Sequence, residues 1–324
     1  MSKMDVLTVG EALVEFVKGT KDSPHYEIGN YRGPFPSGAP AIFADAAARL
    51  GLKSGFVGAV GSDDFGKVLR ERLFKDSVDV THLKTVGGYT TGIAFVMYFS
   101  SGERSFVFHL KQSAATQVSP DDIDEDLVRS SRVLHVMGSA LTLGEGMREA
   151  CYKAVRIANR FGAIISYDPN LRSELLSANL IAKMSEPLLR TAELVMPSRK
   201  ELLDLTGKRM IREAADQLLK QGIPNVIVKL GADGSMAITK NGAELEPAYE
   251  LQEIDPTGAG DAFDAGFICE YLAKKPMRDT LRFANAVGGL KALRVGPMEV
   301  PESKSEVTQF MKGAKQRVTS KQPD

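Results

Sequence analysis

Residues 255–267 read Asp-Pro-Thr-Gly-Ala-Gly-Asp-Ala-Phe-Asp-Ala-Gly-Phe, a turn of small residues that leads into a stretch of helical character. We expect an amphipathic helix over residues 259–273. The turn would then place the backbone N–H groups of Gly258, Ala259 and Gly260 at a helix N-terminus, where unpaired donors and the helix dipole favour an anion. The pattern predicts a phosphate site.

Asp261 falls in the first turn of this predicted helix, beside the anion site. A carboxylate there can accept the proton of an attacking hydroxyl while the amides hold the charge that develops on a transferred phosphoryl group. An isolated Gly-x-Gly-Asp is more often a tight turn whose carboxylate stabilises the helix dipole. The four residues by themselves leave both interpretations open.

The composition is that of an ordinary soluble protein, with 324 residues of which 43% are hydrophobic and 25% charged. The 41 basic and 41 acidic residues give a net charge of zero, which argues against nucleic-acid binding as the main function. No apolar run approaches the ~18 residues of a membrane span, and we expect a cytoplasmic protein with no membrane partner. Cys151 and Cys269 lack metal or disulfide spacing and are predicted to be buried thiols.

Strand-like runs alternate with helical patterns along most of the chain. This order predicts an α/β fold in which a doubly wound, mostly parallel sheet has helices on both faces. Ligands of such sheets gather at the carboxyl ends of strands, where we expect the turn at 255–267. Predicted strands are 6–9, 55–60, 132–137, 163–167, 193–196, 225–229 and 249–254, and predicted helices are 39–50, 65–74, 145–161, 199–205 and 211–221.

Two stretches interrupt the alternation with short strands and no helix between them. They combine 13–16 with 26–31, and 92–99 with 104–109. Hairpins inserted in this way predict a small separate sheet, from about 12–36 and 86–111, within a single domain over residues 1–324. An edge extension of the main sheet is the alternative.

The string at 255–267 resembles the C-terminal signature of the ribokinase/PfkB family of carbohydrate kinases, and the resemblance covers nearly the whole chain. Residues 36–41 resemble the first signature of the family. The Asp-Pro-Asn-Leu-Arg at 168–172 resembles a motif of fructokinases, tagatose kinases and 2-keto-3-deoxygluconate kinases. Residues 230–235 resemble the nucleotide loop, and 284–286 resemble a helix beside the adenine.

The resemblance implies an ATP-dependent sugar kinase with Mg²⁺, in which Asp261 is the base and Gly258, Ala259 and Gly260 form the anion hole. It makes the small sheet a lid over the sugar and the contact of a homodimer. The implied substrate-binding residues are Glu15, Gly38, Ala39, Tyr89, Arg104 and Arg172. The implied nucleotide-binding residues are Asn170, Ser198, Gly231, Asp233, Gly234 and Asn285.

Two metal roles also follow from the resemblance. Glu201 is expected to act on Mg²⁺ indirectly, through water. The backbone carbonyl of Asp255, together with the loop at 294–297, is expected to hold a monovalent cation such as K⁺.

Several positions depart from the family's pattern. Ile42 stands where an asparagine often contacts the sugar, and Glu15 stands where an aspartate is frequent. Ser198 replaces the asparagine of a magnesium-linked Asn-x-x-Glu motif, and Leu110 replaces an arginine. The sugar side has therefore changed while the catalytic turn is intact.

These departures leave the substrate open between a ketohexose, of the fructose or tagatose type, and 2-keto-3-deoxygluconate. Leu110 and Glu15 favour the neutral sugar, because a buried carboxylate needs a cationic partner. Arg172 and Lys111 are the candidates to supply that charge for the acid. A non-catalytic sugar- or nucleotide-sensing module is the alternative of another class, and the intact Asp261 argues against it, since binding alone needs no base.

Overall fold

The computed structural model describes residues 3–171 and 176–317 of the protein. Two sheets and a set of helices make up this part of the chain. The strands are β1 (Met4–Val9), β2 (Leu13–Lys18), β3 (Tyr31–Ser37), β4 (Ser54–Gly61), β5 (Leu83–Val86), β6 (Gly92–Tyr98), β7 (Arg104–His109), β8 (Ser131–Met137), β9 (Ile164–Asp168), β10 (Leu194–Val195), β11 (Asn225–Lys229), β12 (Ser235–Thr239) and β13 (Gly242–Glu246). The helices are α1 (Ala39–Arg49), α2 (Asp64–Lys75), α3 (Glu125–Ser130), α4 (Gly138–Leu141), α5 (Glu145–Arg160), α6 (Ala178–Leu189), α7 (Arg199–Thr206), α8 (Ile211–Lys220), α9 (Ala259–Leu272), α10 (Met277–Ala292) and α11 (Lys304–Gly313).

The main sheet has the strand order β13-β12-β11-β10-β9-β8-β1-β4-β5. Pairing is parallel from β11 to β5, and β12 is antiparallel to both β11 and β13. The central strands alternate their side chains between two cores: Leu7 and Val9 pack in one with α5 and α8, and Val6 packs in the other with α1, α9 and α10. Because both faces are covered, the predicted doubly wound α/β fold is confirmed.

The smaller sheet has the order β3-β2-β6-β7 and is separate from the main sheet. β2 and β6 pair in parallel at its centre, and β3 and β7 lie antiparallel at its edges. The prediction of a small separate sheet is confirmed, but the strand predicted over 26–31 is wrong. β3 begins only at Tyr31, because Lys18 Nζ donates to the carbonyls of Pro24 and Glu27 and holds the preceding residues in a loop. The strand tolerates its two prolines because it is an edge strand.

The predicted strand over 249–254 is also wrong. β13 ends at Glu246, and the following residues form a loop in which Tyr249 makes a single bridge to Gln316. The N–H of Ile254 donates to the carbonyl of Ala292 at the end of α10, at 2.8 Å. The helix end satisfies this backbone in place of a neighbouring strand, which apolar patterning does not distinguish. The hairpin of β12 and β13 was not predicted.

The helix after the turn forms as α9, but its amphipathic character was predicted wrongly. Every residue from Asp261 to Glu270 is buried, since α1 and α10 pack around the helix. Cys151 and Cys269 are buried free thiols, as predicted. Within the described residues, none of the helices combines the length and the apolar character that crossing a membrane requires.

Candidate active site

A cavity of about 450 Å³ lies between the small sheet and the carboxyl ends of the main-sheet strands. Glu11 follows β1, Asp168 ends β9 and Lys229 ends β11, so the main sheet places three charged side chains on this cavity. Glu15 and Arg104 of the small sheet line the opposite wall. The N-terminus of α9 opens into the same space, which places the cavity where a doubly wound sheet binds its ligands.

Gly258 is the residue before α9 and has a left-handed conformation with φ of 86°. A Cβ at this position would lie 2.3 Å from the carbonyl oxygen of Pro297, so only glycine fits. The N–H of Ala259 donates to the carbonyl of Pro256 at 3.1 Å and is committed to the turn. The N–H of Gly260, one residue into the helix, is therefore the stronger candidate for contact with a phosphate.

Asp261 lies in the first turn of α9 and is only 6% exposed, at the cavity wall. Asn170 Nδ2 donates to Asp261 Oδ1 at 3.4 Å. Asn170 has a positive φ of 38°, and its N–H donates to Asp168 Oδ1 at 3.1 Å. The segment after β9 is thereby folded back against α9, which orients the carboxylate of Asp261 in the cavity.

Lys229 is the centre of a buried charge cluster. Its Nζ lies 2.9 Å from Asp168 Oδ2 and 3.0 and 3.1 Å from the two oxygens of Asp264. Burial opposes the charge on Lys229, but two carboxylates raise its pKa far above the ordinary lysine value. Burial raises the pKa of Asp264, while Lys229 outweighs burial and lowers that of Asp168. Lys229 is therefore held between the two carboxyl groups, and of the two Asp168 is the stronger acid.

The cluster places a cation beside the N-terminus of α9, because Lys229 Nζ lies 3.7 Å from the position that a Cβ of Gly260 would take. The sequence did not identify Lys229 or Asp264 as site residues. Lys229 stands directly before the loop that resembles a nucleotide loop, and Asp264 lies three residues after Asp261 on the same helix. These two positions in the sequence, each next to a predicted site residue, could have indicated that Lys229 and Asp264 belong to the site.

Glu201 and Ser198 form a capping box at the start of α7. Ser198 N donates to Glu201 Oε2 at 2.7 Å, and Glu201 N donates to Ser198 Oγ at 3.3 Å. Glu201 Oε1 accepts the N–H of Leu171 at 3.0 Å. Both residues line the cavity. Glu201 thus fixes the loop after β9 as well as presenting a carboxylate to the cavity.

Mg²⁺ would meet a site with few protein ligands. Across residues 3–171 and 176–317 no group of three or more His, Cys, Asp and Glu is placed to hold a metal ion. The buried Oδ1 of Asn170 has no hydrogen-bond partner among the described residues, and Asn170 lines the same cavity as the carboxylates of Asp261 and Glu201. This oxygen donor set fits Mg²⁺ that is bound chiefly through phosphates and water.

Of the predicted nucleotide-binding residues, Asn170, Ser198, Gly231, Gly234 and Asn285 line the cavity. Asn285 Nδ2 donates to the carbonyls of Glu246 and Pro247 at 3.0 and 3.3 Å. Asp233 is not among the described lining residues. Its carboxylate lies outside the cavity, 3.4 Å from Arg199 Nη2.

The predicted substrate-binding residues separate into those that reach the cavity and those that do not. Glu15, Gly38, Ala39 and Arg104 line it, whereas Tyr89 is 39% exposed and lies apart from the described lining residues. Arg172 falls outside the described residues.

The small sheet contacts the catalytic turn through Tyr98, which the sequence did not identify. Its hydroxyl donates to Asp255 Oδ1 at 2.5 Å and lies 2.6 Å from Thr257 Oγ1. Arg104 Nη1 donates to Thr257 Oγ1 at 3.2 Å. Burial raises the pKa of Tyr98 far above its ordinary value, so its hydroxyl stays protonated and remains a donor. These contacts couple the position of the small sheet to the turn that begins α9.

This chain resembles known proteins over nearly its whole length. The sequence profile of the pfkB family carbohydrate kinases matches residues 3–304. A probable fructokinase-4 of Arabidopsis thaliana is 33% identical over 322 residues, which cover 95% of this chain and 97% of the relative.

Two solved structures share the fold over nearly their full lengths. A putative ribokinase II from E. coli in complex with ATP and Mg²⁺ has a TM-score of 0.89 and 35% identity, covering 95% of this chain and 99% of the other. A double mutant of fructokinase from Vibrio cholerae O395, in a form with bound fructose, ADP and potassium ion, has a TM-score of 0.85 and 30% identity. It covers 96% of this chain and 99% of the other.

Proposed function

Because the chain belongs to the pfkB family of carbohydrate kinases and is a phosphotransferase that acts on a sugar hydroxyl, we propose that its substrates are ATP and a neutral ketohexose of the fructose or tagatose type. The fructose in the related Vibrio cholerae structure and the ATP and Mg²⁺ in the related E. coli structure support this choice.

The observation that carries the choice of a neutral sugar is a pair of buried carboxylates at the cavity, one after β1 and one on β2. Glu11 and Glu15 are 4% and 2% exposed and both line the cavity. Leu110, where an arginine would serve a sugar acid, is buried in the wall, and the exposed Lys111 is not among the described lining residues. A substrate carboxylate would meet these two acidic side chains as well as the cation Arg104, whereas sugar hydroxyls can donate to both carboxylates.

The reaction proceeds by direct transfer. The sugar hydroxyl forms a bond to the γ-phosphorus as the bond from that phosphorus to the bridging oxygen of ATP breaks, and ADP leaves. Asp261 receives the hydroxyl proton, and Asn170 holds the carboxylate in place. The first-turn N–H groups of α9 and the ammonium of Lys229 stabilise the transferred charge. Asn170 and Glu201 would hold Mg²⁺ through water, and the metal would supply positive charge that neutralises the phosphates of ATP.

We also propose that the protein acts in the cytoplasm and forms a homodimer through the small sheet. Val107 of β7 and Phe99 after β6 are exposed apolar residues of this sheet, at 39% and 36%. Sedimentation of the wild type and of Val107→Glu tests the dimer, because a charge at the contact would shift the variant to the monomer. A wild-type monomer would contradict this part of the proposal.

The choice of sugar is tested by kcat/KM for fructose, tagatose and 2-keto-3-deoxygluconate with the same concentration of Mg-ATP. We expect one ketohexose to exceed the keto-acid, and Glu15→Gln to lower kcat/KM for that sugar by about tenfold or more, as for a lost hydrogen bond to a buried charged group. Preference for the keto-acid, removed by Lys111→Ala, would contradict the neutral sugar. ATP binding without turnover of any sugar would favour the sensing module.

A further inference from the structure

Lys291, in the last turn of α10, is a lysine with no exposed surface, at 0%. Its Nζ donates to the main-chain carbonyl of Asp255 at 2.8 Å and to that of Arg294 at 3.1 Å. Burial of an ammonium is costly without partners, so this side chain needs both carbonyls and the negative end of the helix dipole. Burial lowers the pKa of Lys291, and the carboxylate of Asp255 opposes that shift by favouring the charged form.

Lys291 thereby joins two segments that build the anion site. The N–H groups of Ile254 and Asp255 donate to the carbonyl of Ala292, at 2.8 and 3.1 Å, and the N–H of Gly296 donates to Asp255 Oδ2 at 2.8 Å. The next residue of this loop, Pro297, is the one whose carbonyl confines Gly258. The ammonium of Lys291 therefore places a positive charge where the loop after α10 contacts the turn before α9.

The two carbonyls bear directly on a bound monovalent cation. K⁺ is held in proteins by backbone carbonyl oxygens that replace its water. The carbonyls of Asp255 and Arg294, which the sequence resemblance associates with such an ion, are directed at the ammonium of Lys291. A second cation on the same oxygens would lie within a few ångströms of that charge and be repelled. A free K⁺ does not fit here while Lys291 is in place.

We propose that Lys291 is a tethered cation that takes the place of a bound monovalent ion. It is a positioning residue: it fixes residues 255–258 against the loop at 294–297 and so holds the N-terminus of α9 where it binds the transferred phosphate. Phosphoryl transfer by this enzyme consequently needs Mg²⁺ but no added K⁺. The inference depends on the kinase activity and is independent of which sugar is used.

The first test measures the rate of the wild type with Mg-ATP and an accepted sugar in chloride salts of K⁺, Na⁺ and tetramethylammonium at equal ionic strength. Tetramethylammonium is too large for a carbonyl site. We expect kcat in the three salts to agree within about twofold, since the tethered charge is always present. A tenfold or larger stimulation by K⁺ would overturn the proposal, whether or not any variant of Lys291 folds.

The second test compares Lys291→Ala, which opens space at the carbonyls, with Lys291→Met, which fills it without a charge. In tetramethylammonium we expect both to lower kcat by about tenfold or more, and K⁺ to restore Lys291→Ala several-fold but not Lys291→Met. Lys304→Met is the matched control. Lys304 is paired with Glu270 at 2.6 Å and is not among the described residues that line the cavity. The rates of Lys304→Met should match those of the wild type in every salt.

Thermal unfolding supplies a readout that needs no sugar. K⁺ should raise the melting temperature of Lys291→Ala over its value in tetramethylammonium, and should leave the wild type and Lys304→Met unchanged. Full activity of Lys291→Ala in tetramethylammonium would overturn the proposal. So would equal losses in both variants without any response to K⁺, since Lys291 would then act through packing alone. If no ketohexose is phosphorylated, the melting experiment still decides the question.

Discussion

The catalytic turn and the sugar-facing wall are built in different ways. The proposed anion site and the proposed base come from residues 258–261, and the backbone of that segment is confined by Pro297 on one side and by a buried helix on the other. The wall opposite takes its side chains from the residue Glu11 after β1 and from strands of the small sheet, among them β2 and β7. The proposed catalytic turn is therefore fixed by backbone packed on the main sheet, while the proposed substrate contacts depend on the position of the smaller sheet.

Of all changes in the catalytic turn or in the sugar-facing wall, we expect loss of the proposed base to have the largest effect on kcat. We expect Asp261→Asn to lower kcat by about 10²–10⁴-fold with little change in ATP affinity, because only the acceptor of the hydroxyl proton is lost. Asp279→Asn is the matched control, since Asp279 is an exposed aspartate in the first turn of α10. Single-turnover rates and ATP titrations measure both quantities. Near-normal turnover by Asp261→Asn would reduce Asp261 to a helix-start carboxylate.

The next largest effect should come from the contact between the two regions. Tyr98→Phe removes the hydroxyl between Asp255 and Thr257, and we expect kcat/KM for the sugar to fall by about tenfold to a hundredfold. Hydrogen exchange over residues 92–109 should become faster in the variant and slower in the wild type when sugar is added. Tyr26→Phe is the control, because the Tyr26 side chain is exposed. Identical exchange in both proteins would mean that the small sheet is no lid.

The same comparison explains what the sequence could predict. The turn and α9 are contiguous, and alternating strand and helix patterns are local, so both were found from residue order. Tyr98 reaches a partner 157 residues away, and Lys229 reaches Asp264 across 35 residues. Local patterns contain no information on such pairs. The prediction of a strand over 249–254 was wrong for the same reason, since the N–H of Ile254 donates to a carbonyl at the end of a helix 38 residues later.

A smaller effect is expected for the Mg²⁺ requirement. Each oxygen of Glu201 already accepts one backbone N–H, from Ser198 or from Leu171, so its influence on the metal should be indirect. We expect Glu201→Gln to raise the Mg²⁺ concentration for half-maximal rate by about tenfold, as for residues that orient metal-bound groups. The control is Glu213→Gln. Glu213 lies in the first turn of α8 and is not among the described residues that line the cavity. An unchanged Mg²⁺ titration would limit Glu201 to its capping role.

The smallest effect concerns how the small sheet is anchored to the main sheet, at the N-cap of α2. Asp63 accepts the N–H of Gly66 at 2.9 Å, and it accepts both the N–H and the hydroxyl of Thr91, just before β6, at 2.7 and 2.6 Å. Burial alone would raise the pKa of Asp63, but these donors lower it below the ordinary value of 3.8. Because the folded state binds this proton less tightly than the unfolded state, Asp63 stabilises the fold above pH 3.8. That contribution is lost as the pH falls through the lowered value.

Urea unfolding at several pH values tests this anchor. We expect Asp63→Asn to lower the free energy of unfolding by about 0.5–1.5 kcal/mol at pH 7, because a charge-assisted bond becomes a neutral one. The difference from the wild type should shrink as the pH falls below 3.8, where the wild-type carboxylate also becomes protonated. Asp64→Asn is the control, since its 90% exposed side chain pairs with the exposed Lys67 at the surface. A difference that stays constant down to acid pH would show that the charge of Asp63 contributes nothing, and that the small sheet is held at this point by the shape of the turn.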